Sequence, residues 1–201
     1  METKLGNPAP LGLIAFASTT WLLSLINAGL ADEKGIVIVL AMALVFGGAV
    51  QLIAGIIAFM RGNTFPGVAF MAYGGFWISV VTFAKFFGGG APAPMVGWYF
   101  FVWGVFSFYM WIATFRHNTA LQLVFLALWI TFMLLAGGEF MPILHTAGGY
   151  LGLVTAALAA YLSAAEIING DYGRTVLPVG PYVPAAVPTR TDAGVKPRMA
   201  S

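Results

Sequence analysis

The 201 residues contain no cysteine, so a disulfide framework, a thiolate nucleophile and a cysteine metal site are all excluded. Charge is scarce too. Only 8% of residues are charged, against about 25% in a soluble domain, so the chain cannot cover a water-facing surface with polar groups. The nine lysines and arginines are dispersed, the net charge is +2, and no basic cluster offers a footprint for nucleic acid. No charged residue falls in the middle of any apolar run, which argues against a proton pump, a voltage sensor or a buried carboxylate cage. Glu139 and Glu166 read as headgroup anchors at run ends. The two histidines, His117 and His145, lie at the ends of different runs and opposite faces, so no haem, metal or other cofactor is expected.

What remains is apolar: 60% of the chain is hydrophobic. A bilayer core about 30 Å thick needs roughly 20 apolar residues per helix, and the charges cut the chain into runs of that size. The spacing predicts an all-α integral membrane bundle of six helices, at residues 11–30, 35–60, 67–84, 95–115, 119–138 and 146–165. Whole runs are apolar on every face rather than alternating, which excludes a barrel. The first run is too long for a cleaved signal and five like it follow. Lys4, Arg61, Arg116, Arg174, Arg190, Lys196 and Arg198 flank one side and only Lys34 and Lys85 the other, so both termini are expected in the cytoplasm. Residues 1–177 form the transmembrane domain, and 178–201 read as a Pro-rich disordered cytoplasmic tail.

Within the runs, small and polar residues are the informative ones. Lipid gives helices no hydrophobic reason to associate, so small residues that let backbones approach are the usual device. In the sixth run Gly148, Gly152, Ala156, Ala160 and Ala164 recur every four residues, a smooth ridge for a close neighbour. In the first, Phe16, Thr20 and Asn27 fall within roughly 40° of one another at 100° per residue. Gly47, Gln51 and Gly55 make a second stripe, and Tyr73 and Trp77 a third face beside Gly74 and Gly75. Each hydroxyl or amide taken singly fits a bond to a neighbouring backbone. Together, uncharged donors, aromatics and glycines on three helices describe a narrow path able to replace a solute's water. Thr19, Thr20, Asn27 and Gln51, with Asn7 at the entrance, are the candidates for holding a substrate.

The entrance "GNPAPLGL", with Pro8, Pro10, Leu11 and Gly12, breaks the backbone where an anchor would use good helix formers. Proline at a helix start loses little, and the free N–H groups behind it are available to an anion. Stopping the preceding segment from extending the helix is an equal explanation.

Taken together, "NPAPLGL", "FGGAVQ", "GNTFPG", "AYGGFW" and "GRTVLPVG", in that order over about residues 5–180, resemble the acetate uptake family, the bacterial succinate-acetate permeases with archaeal and fungal relatives. The resemblance implies a six-helix protomer in a prokaryotic cytoplasmic (inner) membrane, assembled as a homo-hexamer, each protomer with its own path for acetate and, in some members, succinate. It also implies an aromatic and aliphatic constriction at Phe16, Tyr73 and Leu128. Gly75 departs from the family, where a serine is common, and so bears on path width or polarity.

The expected function is transport of small monocarboxylates, as anion channel or proton-coupled symporter, without enzymatic chemistry. Tyr73 carries a hydroxyl able to bond the carboxylate. A channel for neutral solutes such as urea or ammonia also suits an uncharged path, and a sensor or scaffold without transport would need only the glycine ridges.

Overall fold

The computed structural model describes residues 5–87 and 90–181. Lys4, Arg190, Lys196 and Arg198 lie outside the described residues, as does the tail from 182 onward. Six helices are long and apolar enough to cross a membrane: α1 (Ala9–Asn27), α2 (Glu33–Met60), α3 (Thr64–Phe87), α4 (Ala93–Arg116), α5 (Thr119–Gly138) and α6 (Pro142–Tyr172). Among the described residues every regular element is helical.

The boundaries differ from expectation where charge was taken to end a helix. α6 runs through Glu166 and Asp171 to Tyr172 and stops at Gly173, whose φ of 61° makes the left-handed turn. A charged residue marks the edge of the apolar layer but does not break a backbone. α1 begins at Ala9, with Pro10 in its first turn, and its chain turns at Gly29, with φ 73°.

The six helices close into a ring in chain order. α1 packs on α2 and α6, α2 on α3, α4 on α5, and α5 on α6. The remaining seam, α3 to α4, is made by aromatic side chains: Tyr73 to Phe106 at 5.3 Å and Phe76 to Trp103 at 5.2 Å between ring centroids. Arg61, Arg116 and Arg174 share the end of the ring where α1 begins, and Lys34 and Lys85 lie at the other. α2 also carries a π-helical stretch, Ala43–Val50, ending immediately before Gln51. Its wider turns shift the register of everything after them relative to a continuous α-helix.

The ridge on α6 lies inside the protomer. A Cβ at Gly148 would sit 3.0 Å from Leu135 of α5, and one at Gly152 would overlap Ser24 Oγ of α1. Gly149, not part of the expected ridge, is tighter still: a Cβ there would overlap the backbone of α1 at Asn27 and Ala28. Gly149→Ala is therefore expected to cost about 1–3 kcal/mol or more, because neither backbone can yield. Gly75 faces outward with nothing within 4 Å, so Gly75→Ala should stay within about 0.5 kcal/mol. Equal melting temperatures for the two variants in detergent would contradict this packing.

After α6 the chain returns along the bundle. The Asn169 side chain accepts from the amides of Val176 and Leu177 and donates to the Leu177 carbonyl. Tyr161 donates to the Pro178 carbonyl at 2.8 Å, and the Ala120 amide, in the first turn of α5, donates to the Val179 carbonyl at 2.9 Å. "GRTVLPVG" is thus a strap from the end of α6 to the start of α5. Pro178 and Val179, expected in the tail, accept the bonds from Tyr161 and Ala120.

Candidate functional site

Inside the ring, a cavity of about 150 Å³ opens at the end where α1 begins. Its mouth carries Phe65, His117 and Glu166; its floor carries Phe16 of α1, Gln51 of α2, Tyr73 of α3 and Leu128 of α5. The resemblance implied three of these four, and the structure brings them together. The rings of Phe16 and Tyr73 lie 5.7 Å apart. Phe125, which sequence reasoning missed, closes the same floor at 6.2 Å from Tyr73. The signal for it was there: Phe125 lies three residues before Leu128, on the same face of α5.

Beyond the floor, a second cavity of about 400 Å³ opens toward the other end, lined by Leu23 and Asn27 of α1, Phe76 of α3, Tyr99 of α4 and His145 of α6. One helical turn, about 5 Å, separates Phe16, Tyr73 and Leu128 from the next layer, where Phe76 meets Phe132 at 5.3 Å. The two cavities, or vestibules, open toward opposite ends, with these aromatic and aliphatic side chains between them.

The polar candidates divide sharply. Gln51 is 1% exposed, and its Oε1 has no hydrogen-bond partner. Thr20 Oγ1 is likewise buried and unpaired, on the α1 face that carries Phe16 into one vestibule and Asn27 into the other. A buried polar group without a partner costs about 1–3 kcal/mol, a cost these two share with Trp77 Nε1 and Trp129 Nε1. Thr19 is different. Its hydroxyl donates to the Ala15 carbonyl at 2.9 Å, it is fully buried, and a Cβ at Gly47 would sit 2.7 Å from its oxygen. It lines neither vestibule, as Thr20 does not, and its oxygen lies at the α1–α2 contact.

Tyr73 also departs from expectation. Its hydroxyl lies 2.8 Å from Ser107 Oγ of α4, a residue that lines neither vestibule. Tyr73 lines the first cavity while its hydroxyl is engaged with Ser107. Gly75 faces outward, so the departure from the family there leaves path width untouched.

At the entrance, Asn7 Oδ1 accepts from the Ala9 amide at 3.1 Å, and Asn7 Nδ2 donates to Glu166 Oε2 at 2.9 Å. Pro8 is buried at the N-cap, the Pro10 carbonyl accepts from Ser163 at 2.7 Å, and Gly12 leaves room for the Phe70 ring. Leu11 is 43% exposed on the outer face. The positive end of α1 is thus met by the chain's own Glu166, which opposes an anion cradle there. Glu166 also lines the mouth of the first cavity.

The model of the GPR1/FUN34/yaaH family matches residues 1–182. The chain belongs to that family. The succinate-acetate/proton symporter SatP of Escherichia coli is 43% identical over 186 residues, 89% of this chain and 97% of SatP. The solved structure of the bacterial acetate channel SatP superposes with a TM-score of 0.83 at 40% identity, covering 88% of this chain and 100% of that one. The ammonia transport outward protein 2 of Saccharomyces cerevisiae is 37% identical over 178 residues, 82% of this chain and 62% of its own length. In this member of the family, the His117 and Phe65 rings meet at 4.7 Å between centroids, tilted by 37°, at the mouth of the first cavity.

Burial holds the His117 imidazole below its ordinary pKa of 6.5. The folded state therefore favours the neutral ring. As pH falls below about 6.5, the unfolded chain takes up a proton that the folded one resists, and stability declines. The melting temperature is expected to drop between pH 7.5 and 5.5 in the wild type and to drop less in His117→Gln. Parallel profiles would show that the imidazole is not held neutral.

Proposed function

We infer that this protein carries small monocarboxylates, acetate first, across a membrane through the ring of its own six helices. The observation that carries the inference is the floor of the inner vestibule, where one unpaired amide, Gln51, stands among apolar and aromatic groups. Such a site fits a solute with one polar end and one small apolar end. Acetate is that solute. Its carboxylate takes the amide and the Thr20 hydroxyl beyond, and its methyl passes Phe16, Tyr73 and Leu128. Succinate would present a second carboxylate to the same plug.

The energetics favour a proton travelling with it. Stripping water from an ionised carboxylate costs several kcal/mol, and no basic side chain lines the floor to offset that cost. Protonating a carboxylic acid of pKa about 4.3 at pH 7 costs about 4 kcal/mol, which is the cheaper route once the plug is dry. The symporter name of the Escherichia coli relative agrees with this regime, and the channel name of the solved relative with diffusion down a gradient; the plug itself permits both.

The protein sits in a prokaryotic cytoplasmic membrane with both termini in the cytoplasm, as the Arg61, Arg116 and Arg174 end supports, and assembles as a homo-hexamer. Support for the assembly comes from the outward side of a groove at Ser18, Trp21 and Ala157, where Trp21 is exposed.

The yeast relative named for ammonia transport favours a second reading, a channel for small neutral solutes. Purified protein in liposomes separates the two. Uptake of labelled acetate, above protein-free liposomes, is expected to rise as external pH falls and to be suppressed by unlabelled acetate but not by urea or ammonium. Suppression by urea or ammonium alone selects the second reading, and no flux of any solute leaves a sensor or scaffold.

A further inference from the structure

The width of the plug depends on a hydroxyl that lines no cavity. Ser107, in the middle of α4, is 0% exposed. Its Oγ donates to the Trp103 carbonyl, one turn earlier, at 2.7 Å, and lies 2.8 Å from the Tyr73 hydroxyl. A serine has one proton to give. With that proton spent on Trp103, the Tyr73 phenol is the donor and Ser107 the acceptor.

We propose that Ser107 is a positioning residue for the gate: it tethers the Tyr73 ring across the path and so sets the largest monocarboxylate that passes. The proposal rests on the transport reading and adds a specificity determinant to it. α3 and α4 meet through aromatic rings, not through close backbone packing, so the backbone does not fix the Tyr73 ring across this seam. The neighbours of the ring, Phe16, Trp103, Phe106 and Phe125, offer non-directional contacts at 5.3–6.2 Å between centroids. Such contacts are graded and do not single out one tilt of the ring about χ1. The phenol oxygen lies on the χ2 axis, so its bond to Ser107 leaves ring flips free, but among the described residues it is the one directional restraint on where the far end of the ring sits. Without it the buried hydroxyl must swing about χ1 to find another partner, and the ring swings with it. A serine bonding only its own helix's carbonyl, the common local habit of this residue, would ask nothing of Tyr73.

The test is the lactate to acetate flux ratio in liposomes, normalised to folded protein, for Ser107→Ala, Tyr73→Phe and the double variant. Each single change is expected to raise the ratio by roughly three- to tenfold, the worth of one hydrogen bond. The double variant should go no further than the larger single one, and Ser107→Thr, which keeps the hydroxyl, should return the ratio toward wild type. Tyr73→Phe removes one oxygen and keeps the ring, so it reports even where Ser107→Ala folds poorly. A ratio unchanged in Tyr73→Phe, or effects that multiply in the double variant, would overturn the tether. Wild-type protein without acetate flux would overturn the transport reading itself, whereas wild-type flux with unchanged ratios overturns the tether alone.

Discussion

Phe16→Ala is expected to admit lactate and to raise the lactate to acetate flux ratio by about tenfold or more. Discrimination between solutes that differ by one small group in an apolar constriction is worth about 10–200-fold, and Phe16 and Tyr73 stand 5.7 Å apart where the two vestibules fail to join. The competing account treats Phe16 as packing. In that case truncation costs about 3–5 kcal/mol of stability and all fluxes fall together. Phe16 is 6% exposed but lines a cavity on one side, so part of the space left by alanine joins the existing void. Flux of each acid and the melting temperature, measured on the same preparation, separate the accounts: a wider gate changes the ratio, whereas lost packing changes only the amount of folded protein.

Gln51→Leu is expected to do the reverse of most core substitutions, holding or raising stability while acetate flux falls by about 10- to 100-fold. The amide is 1% exposed and its oxygen has no partner, a standing penalty of about 1–3 kcal/mol that leucine removes. The same range, applied to a lost bond to a carboxylate, sets the loss of flux. A site kept polar against its own stability is the signature of function over packing. Should Gln51→Leu transport acetate normally, the amide is not the group that receives the carboxylate. Should it unfold, the oxygen has a structural partner that this account lacks.

The spans were legible because bilayer thickness and hydropathy leave little freedom, and residues 119–138 coincide with α5 to the residue. Lateral position was less so. Thr19 and Thr20 are neighbours of the same chemistry, 100° apart on the helix. Nothing in composition tells which one meets α2; the close approach at Gly47 shows that Thr19 does. The constriction at Phe16, Tyr73 and Leu128 came from the order of motifs, since an aromatic on an apolar helix carries no sign of whether it faces a path or a neighbour. The place of Glu166 at the mouth was not legible because a carboxylate at a span end is usually solvated, and its bond to Asn7 joins residues 159 apart in sequence. The π-helical turns of α2 and the strap after α6 depend on such distant partners too, so local propensity could not announce them.

The central claim is that acetate crosses within one protomer, past Phe16, Tyr73 and Leu128. Its most direct test is labelled acetate flux into liposomes for Leu128→Trp against wild type at equal amounts of folded protein. Leu128 is 3% exposed and lines the floor of the inner vestibule, so an indole there has only the path to fill. The account predicts wild-type flux well above protein-free liposomes and Leu128→Trp flux reduced to their level, with folding and assembly intact. Undiminished flux through a folded Leu128→Trp protein would contradict it and place the path elsewhere.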